Sequence, residues 1–162
     1  EAKWLFGLKN EQIEVVVHPQ SIIHSLVQFT DSSIKAQLGL PDMKLPIQFA
    51  LTYPNRFKTD FQRFNFMDYP QLTFESPDRK VFKNLDLADR AMHENGIIAC
   101  SLNAANEVAV DAFLNKKISF IEIAQLNETV VNSFTNILNP NYEDYVISDF
   151  NARKKAIELI GN

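Results

Sequence analysis

Hydrophobic and polar positions alternate in the first half of the chain, as they do in β-strands. The odd positions of residues 21–30 are largely apolar, and residues 34–38 follow a polar turn as the expected hairpin partner. Further strands are predicted over residues 13–17 and 72–75. After Pro46, residues 47–52 are predicted to form a short helix, because proline is favoured in a first helical turn.

From residue 84 onward, apolar positions recur at helical spacing. Helices are predicted over residues 84–93 with Gly96 as the stop signal, over residues 98–114, after a capping box at residues 119–122, and from residue 148 or 149 to the C-terminus. Residues 1–8 resemble the end of an amphipathic helix. The predicted fold class is α+β, with a strand-rich N-terminal half, residues 1–80, followed by a small helical bundle, residues 81–162.

The amino-acid composition argues against several classes of function. The 162 residues carry a formal net charge of −4, and the scattered Lys and Arg residues form no basic face, so nucleic-acid binding is not expected. A membrane association is not expected either, because no apolar run approaches the roughly 20 residues of a spanning helix. The lone Cys100 excludes a disulfide framework and fits a reducing cytoplasm. The missing initial Met and the helix-like opening suggest a truncated chain.

Polar side chains that could carry chemistry are concentrated in residues 18–25, which contain two His, one Gln and two Ser. At a strand end these groups could line a pocket, or they could simply satisfy neighbouring backbone groups. The spacing of His18 and His24 matches no common metal site. A Ser-His-Asp set drawn with Asp42 is of a kind expected by chance.

A second unusual segment is the Asn-Ala-Ala-Asn-Glu run at residues 103–107. Asn103 and Asn106 are three residues apart and therefore share a helix face. We interpret them as partners in interhelical hydrogen bonds around small alanines, and not as a ligand site.

Four segments resemble one enzyme family. They are the opening Glu-Ala-Lys-Trp-Leu-Phe, the run Glu-Val-Val-Val-His-Pro-Gln-Ser-Ile-Ile-His-Ser at residues 14–25, the run Ala-Gln-Leu-Gly-Leu-Pro-Asp-Met-Lys-Leu-Pro-Ile at residues 36–47, and Leu-Asn-Ala-Ala-Asn-Glu at residues 102–107. All four resemble the 1-deoxy-D-xylulose 5-phosphate reductoisomerases, in the same order along the chain. The resemblance implies the end of the family's catalytic domain followed by its C-terminal helical domain.

The resemblance also implies an activity. The family rearranges and reduces 1-deoxy-D-xylulose 5-phosphate, a phosphosugar, to 2-C-methyl-D-erythritol 4-phosphate with NADPH and Mg or Mn, and its members are typically homodimers that serve isoprenoid biosynthesis. His24 corresponds to a site-lining histidine. Ser21, Pro41 and Met43 correspond to positions close to the substrate.

The family's dinucleotide motif, phosphate ligands and metal ligands correspond to residues upstream of Glu1. No metal ligand and no cofactor contact is therefore expected in this chain, and the chain alone is expected to be inactive. The alternative hypothesis is a non-catalytic module that self-associates through open strand edges.

Overall fold

The structure, a computed structural model, describes residues 2–161. Its helices and strands, in chain order, are α1 (Ala2–Phe6), β1 (Ile23–Gln28), β2 (Ile34–Leu38), α2 (Lys44–Thr52), α3 (Lys83–Glu94), α4 (Ile98–Leu114), α5 (Phe120–Asn132) and α6 (Tyr142–Ile160), with a short 3-10 turn at Asn10–Gln12. No helix among the described residues is long and apolar enough to cross a membrane.

The chain divides into two compact units. We call Glu1–Glu14 together with Asp78–Asn162 the helical unit, and Val15–Pro77 the hairpin unit. The predicted domains, residues 1–80 and 81–162, stay a prediction; the first 14 residues cluster with the C-terminal helices.

The helical unit is built around α4, which packs against both α5 and α6. Alanines of α4 and α6 pack in this core against larger aliphatic side chains of α5. The buried cluster contains Ala104, Ala105 and Ala109 of α4, Ile123, Leu126 and Val130 of α5, and Ala152 and Ala156 of α6. Between α4 and α6 the buried hydroxyls of Ser101 and Ser148 lie 2.8 Å apart and satisfy each other.

The N-terminal segment is attached to the end of α3. The Lys3 ammonium donates to the Met92 carbonyl oxygen at 2.6 Å and to the Asn95 Oδ1 at 3.0 Å. The Asn10 Nδ2 lies 3.2 Å from the His93 Nδ1. These contacts place residues 2–12 on the helical unit, even though the hairpin unit separates them from it in sequence.

The hairpin unit contains a single antiparallel pair, β1 and β2, in which Val27 faces Lys35 and Gln28 faces Ile34. Ile22 is the only buried residue between residues 15 and 77. Both faces of the pair expose apolar side chains, including Val27 at 57% and Ile34 at 59%. The described part of this unit therefore has almost no core of its own.

The predicted strand-rich N-terminal half is wrong for this structure. Residues 13–17 and 72–75 meet only at one isolated bridge, in which Val17 and Glu75 exchange two backbone hydrogen bonds of 2.9 Å. β-branched composition favours a strand only where a partner ladder is available. The described residues supply no such ladder, so the molecule is mostly helical with one small sheet.

The helix predictions fared better. The prediction for Ile98–Leu114 is confirmed at both ends, and α5 begins after Ser119 with the expected capping box. Three starts were wrong. The helix predicted over residues 47–52 begins at Lys44, so that Pro46 lies inside its first turn. The third helix begins at Lys83, so that Asn84 lies inside its first turn, and α6 begins at Tyr142 instead of residue 148 or 149.

The missed start of α6 has a physical cause. Asn141 caps the helix by accepting from the Asp144 N–H at 3.0 Å. The first buried position of the helix is Ser148. The repeating pattern of buried positions therefore begins almost two turns after the first residue of the helix.

Candidate functional site

The segment that carries the first two histidines is tied to residues 73–75. The His18 Nδ1–H donates to the Thr73 carbonyl oxygen at 2.8 Å, and its ring stacks on Phe74 with 4.8 Å between centroids. The Gln20 Nε2 donates to the Thr73 Oγ1 at 2.8 Å, and the Thr73 N–H donates to the Gln20 Oε1 at 3.0 Å. His18 and Gln20 therefore anchor the segment that leads into Ser21. This agrees with the interpretation that polar side chains of this motif satisfy nearby backbone groups.

Ser21 lies at the turn before β1. Its φ of +51° is in the left-handed region, which is uncommon for a residue other than glycine. Its backbone N–H donates to the His18 carbonyl oxygen at 3.0 Å. Its hydroxyl has no hydrogen-bond partner among residues 2–161, so it is available to a ligand.

His24 occupies an irregularity in the hairpin. The register between β1 and β2 shifts between Ile23 and Ser25, which leaves His24 unpaired and re-aims its side chain. The His24 Nε2 lies 3.2 Å from the Gly39 carbonyl oxygen, and because a carbonyl only accepts, Nε2 carries the proton. The Nδ1 of the same exposed ring makes no hydrogen bond with residues 2–161.

The loop after β2 carries the other two predicted site residues. The Asp42 Oδ1 accepts from the Lys44 N–H at 2.9 Å and so fixes the entry into α2. Asp42 is thereby a local capping group, and not a partner of His24. Pro41 is exposed, and the thioether side chain of Met43 is 69% exposed.

Taken together, the hydrogen bond from His24 to Gly39 joins the strand that follows Ser21 to the loop that contains Pro41 and Met43. We call Ser21, His24, Pro41 and Met43 the candidate wall. It offers a hydroxyl, an imidazole nitrogen and two apolar side chains. No group of three or more His, Cys, Asp and Glu side chains that could hold a metal occurs among residues 2–161.

A cavity is formed by α2 and the residues that follow it in the chain, and the sequence did not indicate it. It measures about 200 Å³ and is lined by Leu45, Gln48, Phe49, Thr52, Arg56, Phe57, Thr59 and Phe61. The guanidinium of Arg56 lies over the Phe49 ring, 4.0 Å from its centroid. Residues 55–61 carry no periodic pattern, so only the mixture of cationic and aromatic residues in this segment could have indicated the cavity.

Comparisons with known proteins agree with these motifs. The family model for the DXP reductoisomerase C-terminal domain matches residues 38–155. The 1-deoxy-D-xylulose 5-phosphate reductoisomerase of Phocaeicola vulgatus is 54% identical over all 162 residues, and that of Bacteroides fragilis is 53% identical over 160 residues. The chain spans only 42% and 41% of the length of these two relatives.

Solved structures agree as well. The chain is similar to the reductoisomerase of Zymomonas mobilis in complex with NADPH, with a TM-score of 0.85 and 40% identity over 99% of this chain and 43% of that one. It is also similar to a DOX-P reductoisomerase in complex with NADPH, fosmidomycin and magnesium, with a TM-score of 0.85 and 38% identity over 99% of this chain and 41% of that one. The chain therefore belongs to the 1-deoxy-D-xylulose 5-phosphate reductoisomerase family and corresponds to its C-terminal part.

Proposed function

We propose that this chain is the C-terminal part of an enzyme that converts 1-deoxy-D-xylulose 5-phosphate to 2-C-methyl-D-erythritol 4-phosphate for isoprenoid precursor synthesis, with NADPH and Mg or Mn. The observation that carries the proposal is the 54% identity to the Phocaeicola vulgatus reductoisomerase over all 162 residues. The hydrogen bond from His24 to Gly39 joins two of the segments that resemble the family. The isolated chain is inactive in this proposal, because the rest of the enzyme holds the charged groups.

The candidate wall shapes and orders the substrate. Because Nε2 of His24 donates to Gly39, its Nδ1 accepts a hydrogen bond from a substrate hydroxyl. The Ser21 hydroxyl supplies a second polar contact. The exposed side chains of Pro41 and Met43 cover the carbon skeleton and exclude water from it.

The residues described here do not fit a metal or a dinucleotide. They contain no cluster of three potential metal ligands. The whole chain has only four Gly and no Gly-rich phosphate-binding motif. We therefore assign no chemical step in this chain to a metal or to NADPH, and we propose that both are held by other parts of the enzyme.

The hairpin unit supports a proposal about assembly. An isolated two-stranded hairpin is at best marginally stable, and this one exposes apolar side chains on both faces. We propose that in the complete enzyme one face is covered by the rest of the catalytic domain, and that the strands contribute to a homodimer interface. The complete enzyme is cytoplasmic in this proposal, in keeping with the free Cys100.

The alternative of a non-catalytic self-association module is not favoured, since the relatives that match are enzymes by name. Apolar exposure on the hairpin supports association, but association within a homodimeric enzyme accounts for it equally well.

The first prediction concerns His24. In the complete enzyme, His24→Ala should lower kcat/KM by about tenfold or more, or about 1.4 kcal/mol of transition-state stabilisation, because it removes an oriented acceptor. Steady-state kinetics with substrate, NADPH and Mg measure the change.

The matched control is Glu128→Gln, which changes an exposed residue of α5 in the helical unit whose side chain makes no hydrogen bond or ion pair with residues 2–161. It should leave kcat/KM within about twofold, as is usual for surface positions. Unchanged kinetics for His24→Ala would remove His24 from the site. Turnover by the 162-residue chain alone would overturn the proposed dependence on the rest of the enzyme.

A further inference from the structure

The turn between α3 and α4 contains Asn95 followed by Gly96, the one Asn-Gly pair in the sequence. The side-chain amide of an asparagine can react with the backbone nitrogen of the next residue, and a following glycine hinders this least because it has no Cβ. Asn95 is exposed, so water has access to the reacting groups. Three features of the fold favour the reaction at this pair.

The first feature is the backbone conformation of Asn95. Its φ is +55° and its ψ is −155°, whereas ψ is about −40° in an α-helix and about +135° in a β-strand. A bond from the side-chain Cγ to the next backbone nitrogen closes a five-membered ring, in which Cβ and that nitrogen are nearly eclipsed about the Cα–C bond. An L residue reaches this arrangement at a ψ of about −120°, as in the first central residue of a type II′ turn. The turn therefore holds Asn95 close to the conformation of the ring.

The second feature is the backbone N–H of Gly96, which makes no hydrogen bond with residues 2–161. The preceding helix ends at Glu94, and the next N–H to find a partner is that of Ile97, which donates to the Asn136 Oδ1 at 3.1 Å. An unbonded N–H can lose its proton to solvent base without breaking a hydrogen bond of the fold. Gly96 therefore provides an available nitrogen nucleophile.

The third feature is a cation at the carbonyl group that would be attacked. The Lys3 ammonium donates to the Asn95 Oδ1 at 3.0 Å and to the Met92 carbonyl oxygen at 2.6 Å, so it is held in place by two contacts. Attack on Cγ moves negative charge onto Oδ1, and a cation that already lies there stabilises this charge. The Asn95 Nδ2 donates to the His93 carbonyl oxygen at 3.2 Å, which keeps the amide oxygen turned toward Lys3.

We propose that Asn95 is a site of spontaneous deamidation that the fold of the helical unit accelerates. The Gly96 nitrogen gives up its proton and bonds to the Asn95 Cγ. The bond from Cγ to Nδ2 then breaks, and the NH2 group takes up a proton and leaves as ammonia. Water opens the resulting succinimide and leaves an aspartate where it adds to Cγ, or an isoaspartate where it adds to the backbone carbonyl carbon. The inference does not depend on the proposed enzyme activity.

The two products should differ in stability. An isoaspartate lengthens the backbone by one carbon directly before Gly96, where even an added Cβ would clash with Ile137 and Asn136. The isoaspartate form, separated by chromatography, should therefore melt at a lower temperature than the Asn95→Asp chain, which has the same charge and a normal backbone. Equal melting temperatures would overturn the proposed effect on packing.

The rate is tested by incubating the folded 162-residue chain beside a synthetic peptide of residues 90–99 in the same mildly alkaline buffer. Mass spectrometry measures the loss of the Asn95 amide in both. The folded chain should react about threefold or more faster, because its backbone is preorganised and Lys3 lies at the carbonyl oxygen. A peptide that reacts as fast as the folded chain, or faster, would overturn the proposal.

Substitutions at Lys3 separate the cation from the backbone. Lys3→Met should slow the reaction about threefold, the size expected for one charge at an exposed position, whereas Lys3→Arg should keep the rate within about twofold. The matched control is Lys117→Met, which removes an exposed ammonium that makes no hydrogen bond or ion pair with residues 2–161 and should leave the rate unchanged. An unchanged rate in a folded Lys3→Met chain would overturn the role of the cation. If Lys3→Met does not fold, the comparison of the parent chain with the peptide decides whether the fold accelerates the reaction.

Discussion

At the scale of single residues, Gly96 determines how two segments of the helical unit pack. Its φ of +67° lies in the left-handed region, and a Cβ placed there would lie 2.3 Å from the Ile137 carbonyl oxygen and 2.4 Å from the Asn136 Oδ1. That same Asn136 Oδ1 accepts from the Ile97 N–H at 3.1 Å. The segment after α5 therefore rests directly on the turn between α3 and α4, and only glycine leaves room for it.

We predict that Gly96→Ala lowers the free energy of unfolding by about 2 kcal/mol or more, because backbone strain adds to a steric clash. Urea denaturation of the 162-residue chain, followed by circular dichroism, measures this change.

Substitutions at Gly7 and Gly161 allow the effect of backbone strain to be separated from the effect of the steric clash. Gly7 has a φ of +62° but no atom within 4 Å of an added Cβ, so Gly7→Ala should cost about 1 kcal/mol from strain alone. Gly161 has a nearest neighbour at 3.7 Å and an ordinary φ, so Gly161→Ala should be close to neutral. Equal effects at Gly96 and Gly161 would contradict this account.

The candidate site was only partly predictable at this scale. The motif around His24 and the loop of Pro41 and Met43 stood out by residue type. The partner of His24 did not, because the carbonyl of Gly39 carries no side-chain signal and the irregularity at His24 depends on strand register. The functional roles of these residues remain proposals.

At the scale of elements, local capping chemistry determined where α5 begins. The Ser119 N–H donates to the Glu122 Oε2 at 2.6 Å. This hydrogen bond, above all, lowers the pKa of the Glu122 carboxyl below its ordinary value near 4.5. A carboxylate with a lowered pKa stabilises the fold above the unfolded pKa, and that contribution is lost as the pH falls through the folded pKa.

We therefore predict a pH-dependent effect of Glu122→Gln. At pH 7 the variant should melt at a lower temperature than the parent, because it lacks the negative charge at the helix N-terminus. Below the folded pKa of Glu122 the two melting temperatures should converge. Thermal melts of the 162-residue chain between pH 7 and pH 3 measure the difference.

Glu128→Gln on the same helix is the control, since the Glu128 side chain is exposed and makes no hydrogen bond or ion pair with residues 2–161. Its effect should be small at every pH. A Glu122→Gln difference that persists unchanged at pH 3 would contradict the role assigned to the carboxylate.

The bounds of a helix could be predicted accurately where the sequence carries capping residues and a regular stripe of buried positions, as α4 and α5 show. The strands expected over residues 13–17 and 72–75 could not, because a strand is defined by its partner and not by its own composition. In α6 the first turns carry exposed apolar residues such as Val146 and Ile147, which hide the buried face that begins at Ser148.

At the scale of the whole molecule, the two units differ in how much they bury. The helical unit has a continuous core between α4, α5 and α6, whereas the hairpin unit buries only Ile22. Local stability follows buried apolar contacts, so the two units should open at very different free energies.

We predict that backbone amides of β1 and β2 exchange with solvent about a hundredfold faster than those of α4 in the 162-residue chain. In the complete enzyme the strand amides should become protected, because in the proposed assembly other parts of the catalytic domain cover them. Hydrogen exchange followed by mass spectrometry compares the two proteins peptide by peptide. Strong protection of the strands in the 162-residue chain would show that the hairpin unit is stable without that cover.

The bridge between Val17 and Glu75 has a consequence for how this chain can be cut and rejoined. The polypeptide leaves the helical unit after Glu14 and re-enters it at Asp78, and the bridged pair lies three residues inside each crossing point. The hairpin unit is thus an insertion whose two ends are joined by this bridge. We therefore expect that a short flexible linker in place of residues 15–77 would give a contiguous helical protein.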